Sequence, residues 1–386
     1  MLYWLILARA FNPDSYGFVQ YTITLATLVA ILAQPIGQHV FARYIGKYRQ
    51  EPEVRPALLT NLLAVLGAVF TASLIIAVPI LAFFGELNLG VLVVFAGISL
   101  FYAYWGLANG MLYAGRLTLA YLASNLLQLA ATFALINLLG IQSPLLALLI
   151  YGCSYLPALA LLQRFLPLPL AFHPALIARE TIKDILNFSW PVWISHIAYT
   201  VGAALPILLL NYFIDKAAVG VFSLALTLSA LFGVVSIGLS TQLMPTIAGA
   251  PRHKHLALLK QTLLLLLVIS ALMLLIYLPL VRFVVPLVFG AEYLTSLATY
   301  GLLTAVAIAN CVNGLLAAVQ IGGGHVRIEA GSRIVNLAVT AGLGWLLVPQ
   351  IGVEGAAAAL LAGVIAAILI NTYVVRRRVK SRNETA

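Results

Sequence analysis

Apolar residues run along this chain in long blocks, and polar residues collect in the short gaps between them. Eleven blocks stand out: Tyr16–Gln38, Ala57–Phe84, Leu89–Ala108, Leu117–Leu138, Ser143–Gln163, Asn187–Tyr212, Ala217–Leu243, Gln261–Val285, Ser296–Val319, Ala330–Val348 and Gly352–Val375. Each holds 19 or more residues, enough for a helix to cross about 30 Å of hydrocarbon at 1.5 Å per residue. The pattern predicts an all-α chain of membrane-spanning helices. A shorter block comes first. The apolar run "MLYWLILA" stops at Arg9, ahead of the turn residues Asn12-Pro13-Asp14. It is too short to span a bilayer and has neither the charged start nor the cleavage site of a secretory signal.

Composition agrees: 63% of residues are hydrophobic, 8% are charged and the mean hydropathy is +1.07. Soluble domains carry about 25% charged residues. The net charge of +10 has a simple origin. Of the 21 lysines and arginines, all but Arg9, Lys216 and Arg282 fall on the same set of alternate loops, while the 11 acidic residues divide almost evenly. That is the positive-inside pattern, and it predicts a cytoplasmic C-terminus. No nucleic-acid partner is needed to explain the charge. Cys153 and Cys311 lie far apart inside apolar runs. They read as small core residues, neither a disulfide framework nor a metal site.

The longest polar segment falls near the middle of the chain and suggests a linker between duplicated halves. An offset of 203 sets "YGFVQYTITLATL" from Tyr16 on "VGVFSLALTLSAL" from Val219, with Gly17 on Gly220 and Thr24 on Thr227. The division expected is an N-terminal lobe 1–165, a cytoplasmic linker 166–186, a C-terminal lobe 187–375 and a basic cytoplasmic tail 376–386. A parallel repeat about an axis along the membrane normal places a cavity between its halves. The segment matching Arg9–Gly17 is Tyr212–Gly220, which follows a full helix. The short first block therefore corresponds to the end of the equivalent first helix.

Five stretches carry a family resemblance. "LARAFNPDSYGF" from Leu7, "FARYIG" from Phe41, "NYFIDKAAVGVFSLALTLS" from Asn211, "VFGAEYLTSLATYGLL" from Val288 and "LLVPQIGVEGAAAALLAG" from Leu346 occur in that order. Together they resemble Wzx-type polysaccharide and O-antigen flippases, the oligosaccharide-lipid exporters of the MATE-like MOP superfamily. The departure is a truncated first helix. The resemblance implies about 12 transmembrane helices in two six-helix lobes and transport by alternating access. The implied cargo is a polyprenyl-diphosphate-linked oligosaccharide, carried to the outer leaflet of the cell membrane for surface polysaccharide biosynthesis. The polysaccharide polymerase and glycosyltransferases of the same pathway are the implied partners, and no cofactor or metal is implied.

An anionic head group must then cross hydrocarbon, where each charge is penalised by roughly 2.5–3.5 kcal/mol on insertion scales. Cations within or at the ends of spans are the candidates for offsetting it. They are His39 and Arg43 at the cytoplasmic end of the second helix, His196 in mid-span, Arg333 at a helix start, Arg282 on the sparsely basic side, and Arg9. Each has a blander role as a snorkelling topology anchor or an interhelical hydrogen-bonding group. Trp190 and Trp193 fit the interfacial belt, with sugar stacking as the alternative. A cation-coupled exporter of small amphipathic molecules shares the fold, but its usual deep acidic residue is missing: the acids sit in loops or at helix ends. A polymerase or ligase needs a large catalytic outer loop, which the sequence lacks, so no enzyme activity is expected. A non-transporting remnant is the third alternative, motivated by the short first helix.

Overall fold

Four helices begin with caps from their own short loops. Asn12 Oδ1 accepts from Ser15 N (2.9 Å) at the start of α2 (Pro13–Leu32), and Asn88 Oδ1 from Val91 N (3.0 Å) at the start of α4 (Leu89–Met111). Ser143 caps α6 (Pro144–Cys153), and Asp215 Oδ1 accepts from Ala218 N (2.7 Å) at the start of α9 (Lys216–Ser229). These side chains satisfy amide groups that the first turn leaves unpaired, so loops of two to five residues suffice. Pro13 and Pro144 start their helices where a missing N–H costs nothing.

The structure, a computed structural model, describes residues 2–32, 55–83, 87–111, 114–138, 140, 142–165, 172–233, 239, 255–294, 296–322 and 326–383. Its other helices are α1 (Leu2–Ala10), α3 (Arg55–Phe83), α5 (Ala114–Phe133, continuing as a π-turn over Ala134–Leu138), α7 (Tyr155–Phe165), α8 (Arg179–Phe213), α10 (His255–Val288), α11 (Leu297–Gly322) and α12 (Val326–Asn383). Among the described residues eight segments are long and apolar enough to cross a membrane, one of them being Ala330–Val374, and two shorter apolar helices cover Pro56–Ala72 and Leu89–Tyr102. Ala330–Val374 is two spans. α12 breaks at Ile351 (φ −129°, ψ 17°) and Gly352 (φ 57°, ψ −128°). A side chain at the second position would be strained by the positive φ, and Pro349 just before removes a helical N–H. With its two arms (326–350 and 353–383) counted separately, the eleven expected spans are all represented.

Two differences from expectation have local causes. α8 begins at Arg179, ahead of the expected start at Asn187. The stretch Arg179–Leu186 is charged, so hydropathy passes over it. It is nonetheless amphipathic, and Ile185 is fully buried. Cys311 is a core residue as expected, packed with Leu259, Leu266, Leu315 and Leu316, but Cys153 at the last position of α6 is exposed.

The chain forms two compact units, chiefly Thr22–Ile197 and Tyr3–Tyr21 with Ala198–Ala386. In the first, α4 packs on α6 and α7, and α5 on α7. Phe70 stacks on Phe95 at 5.5 Å and Phe101 tilts against Tyr155 at 4.8 Å. The segment after α7 is stapled to α3 by Asn61, whose Nδ2 donates to Leu176 O (3.0 Å) while its Oδ1 accepts from Ala178 N (2.8 Å). His173 N adds a bond to Thr60 Oγ1 (3.3 Å). In the second unit α11 packs along α12 and α10. α10 shows two stripes: Leu266, Ser270, Tyr277, Val281 and Val285 are buried, while Leu264, Leu272, Leu275, Phe283 and Leu287 are exposed. In a spanning helix, the exposed apolar stripe is the face offered to lipid tails.

Candidate functional site

Polar residues recur at helical spacing inside the apolar first arm of α12. Arg333, Asn336 and Thr340 stand at i, i+3 and i+7, which places them on one face. Thr340 Oγ1 donates to Asn336 Oδ1 (3.1 Å), and Gly363 of the second arm closes against this pair. A second polar bridge joins the second arm to α11, where buried Asn371 Nδ2 donates to Asn313 Oδ1 (2.8 Å). Such hydrogen bonds satisfy groups that would otherwise be stranded in an apolar setting.

Arg333 opens the file. Its guanidinium lies over the Tyr199 ring of α8, 4.7 Å from the centroid, and the residue is half-buried. A ring face holds a cation by about 0.5–1 kcal/mol where water reaches it and by about 2 kcal/mol or more where it does not. A guanidinium is planar and always charged, and its fork of N–H donors suits a phosphate or carboxylate. Tyr199 is itself 55% exposed. The pair is thus an oriented cation beside an accessible aromatic surface, about two turns inside the helix end.

The other expected cations are placed differently. His39 and Arg43 lie outside the described residues, as do the side chains of Arg116 and the basic tail. His196 is exposed in the middle of α8 and has an interacting partner, one turn from Tyr199 in sequence. Arg9 is exposed in the last turn of α1, where a cation complements the helix dipole. Arg282 is exposed on α10, two turns beyond the lipid-facing Leu275 and close to the end of the helix. Trp193 is committed to the protein, its indole donating to Ile31 O (3.0 Å), with Trp190 beside it at 5.3 Å. Sequence inspection passed over Tyr199, Asn313, Asn336, Thr340 and Asn371. The i, i+3, i+7 spacing after Arg333 was the available signal for two of them.

This arrangement, a helical bundle with a polar file and an aromatic-held cation in its apolar spans, is that of a multi-pass membrane protein. The model of the polysaccharide biosynthesis protein family matches residues 1–250, and the chain belongs to that family. The fold is shared with an inward-facing multidrug resistance MATE family transporter of the MOP superfamily (17% identity, 100% of this chain and 95% of that chain covered, TM-score 0.74). It is shared also with the lipid II flippase MurJ in its inward closed conformation (14% identity, 96% and 86% covered, TM-score 0.73). A MOP superfamily transporter from Pyrococcus furiosus Vc1 matches with 17% identity over 98% of this chain and 91% of that one, TM-score 0.64. No curated protein matches significantly.

Proposed function

We propose that the protein is a flippase carrying a polyprenyl-diphosphate-linked oligosaccharide from the cytoplasmic to the outer leaflet of the cell membrane by alternating access. The lobes are taken as 1–165 and 187–375, with 166–186 as linker and 376–386 as a cytoplasmic tail. The observation that carries the reading is Arg333, held over Tyr199 inside an apolar span of a chain that belongs to a polysaccharide biosynthesis family. A guanidinium at that depth suits a diphosphate, and an exposed tyrosine beside it suits a sugar ring. Arg43, His39 and His196, with Arg9 and Arg282 at helix ends, complete the proposed cationic path. A membrane potential negative inside favours outward movement of an anion by about 2.3 kcal/mol per charge per 100 mV. The likeness to a lipid II flippase supports a lipid-linked cargo. Against a cation-coupled exporter of the same fold stands the placement of the acids. Those in described segments, such as Asp14, Glu180, Asp215, Glu292 and Glu354, sit in the first turns of helices, in loops or beside the α12 break.

The test is a mass-spectrometric profile of polyprenyl-linked glycans in cells lacking the gene, with and without a restored copy. The expected result is accumulation of one oligosaccharide-lipid that the restored copy clears. An unchanged profile rejects this cargo and favours the small-molecule exporter.

A further inference from the structure

The offset of 203 that aligns the two halves also describes a physical contact. A Cβ placed on Gly17 would strike Lys216 O and come within 2.8 Å of Gly220 N; one placed on Gly220 would strike Pro13 O and come within 2.8 Å of Pro13 C. Adding 203 to Gly17 gives Gly220, and adding it to Pro13 gives Lys216. The two approaches are therefore the same contact made twice, as across a two-fold axis. The surrounding bonds repeat in the same register. Phe11 N donates to Leu7 O as Ile214 N donates to Leu210 O, both at 2.9 Å. Asn12 caps α2 from the position where Asp215 caps α9. The end of α1, its turn and α2 thus form one copy of a motif whose other copy is the end of α8, its turn and α9. The two copies interlock backbone to backbone at their glycines.

One side of this contact carries a latch. Tyr293 Oη donates to Phe11 O (2.9 Å), and Tyr300 Oη in turn donates to Tyr293 O (3.0 Å). Fully buried Tyr16 meets the Tyr293 ring edge-on at 6.1 Å, accepts from Gln20 Nε2 (2.8 Å) and bonds with Thr227. Lys216 Nζ lies 5.0 Å from the centre of the Phe18 ring. The assembly sits at the ends of α2 and α9 remote from the basic loops.

We propose that the Gly17–Gly220 interlock, latched by Tyr293 on Phe11, is the closed outer gate of the transporter. The proposal rests on the transport reading above and adds to it the residues that must part. Glycine is required on both helices because any side chain would hold the backbones apart. The hydroxyl latch and edge-on rings can be broken and remade without unfolding a helix. When the gate opens, the first surface uncovered is the next turn of α9, where Ser223 is 2% exposed and its hydroxyl has no hydrogen-bond partner among the described residues.

The experiment places Ser223→Cys in a Cys153→Ser, Cys311→Ala background and measures labelling by a membrane-impermeant maleimide applied to the outer face of spheroplasts. Labelling is slow with the native glycines. Gly220→Leu wedges the contact and raises the rate about tenfold or more, as when an open state of a few per cent becomes the major one. Tyr293→Phe keeps the ring, removes the latch and raises the rate about fivefold, the worth of one net hydrogen bond. Unchanged labelling in either variant, in protein that is monodisperse after extraction, overturns the gate. If Gly220→Leu does not fold, Tyr293→Phe alone decides. The readout involves no cargo. Raised labelling with an unchanged glycan profile would keep the gate and reject the oligosaccharide-lipid. The opposite pair of results would reject the gate alone.

Discussion

Asn61 offers a local perturbation whose size follows from the structure. The side chain is 1% exposed on α3, donates to Ala57 O (2.7 Å) within its own helix, and makes the two bonds that hold Leu176 and Ala178. Asn61→Leu keeps the volume and removes both of the latter. Each is worth about 0.5–1.5 kcal/mol net, and the partners released lie in an exposed stretch where water replaces the lost bonds. Local opening should therefore become easier by roughly 1–3 kcal/mol, which accelerates hydrogen exchange roughly 5- to 150-fold. Exchange is read by mass spectrometry on peptides covering residues 172–180, with α11 peptides as internal reference. Asn61→Asp separates the two bonds: it still accepts from Ala178 N but presents an oxygen to Leu176 O, and it should fall between the native protein and Asn61→Leu. Unaltered exchange over 172–180 in Asn61→Leu, with α11 unchanged, would refute the staple. Faster exchange throughout the protein would mean that Asn61 supports the whole unit and not the linker.

Three further outcomes are expected. Arg333→Ala should lower surface polysaccharide several-fold at unchanged protein level, whereas Arg333→Lys, which keeps the charge but loses the planar stacking on Tyr199, should retain more than half. Wild-type output from Arg333→Ala would remove it from the path. N-Ethylmaleimide in mild detergent should modify Cys153 and leave Cys311 intact until the protein is denatured, as intact-protein mass spectrometry would show. Burial, and then the neighbouring Tyr16, Glu292 and Tyr300, push the Tyr293 hydroxyl above its ordinary 10.0. Its raised value means that the stability it contributes is fully present below about pH 10 and is lost as pH rises further. Thermal stability should therefore show no Tyr293-dependent change between pH 6 and 9, and a slope in that range that Tyr293→Phe removes would contradict the burial.

The spans were legible because hydrocarbon thickness sets a minimum run of apolar residues, and even the break in α12 showed as Pro349-Gln350-Ile351 between two runs. The start of α8 was not legible by that measure. Its first turns are charged, and only the placement of Ile182 and Ile185 betrays a helix. The correspondence of Gly17 with Gly220 was visible as a repeat, but sequence alone cannot show that equivalent residues touch, since a two-fold axis is a property of packing. The site divides the same way. Arg333 and His196 were conspicuous as ionisable groups in apolar runs, whereas Tyr199 became meaningful only once a guanidinium lay on its ring. Asn313 and Asn371 are single polar residues on different helices, and nothing in the linear pattern pairs them.

The central claim is best tested with purified protein in proteoliposomes containing a fluorescent polyprenyl-diphosphate oligosaccharide. A membrane-impermeant glycan-cleaving enzyme outside the vesicles then reports the fraction of lipid exposed. The account predicts that native protein brings the inner-leaflet pool within reach of the enzyme, that Arg333→Ala does so much more slowly, and that protein-free vesicles keep that pool protected. An inner pool that stays protected in the presence of folded native protein, with an imposed potential of either sign, would contradict it.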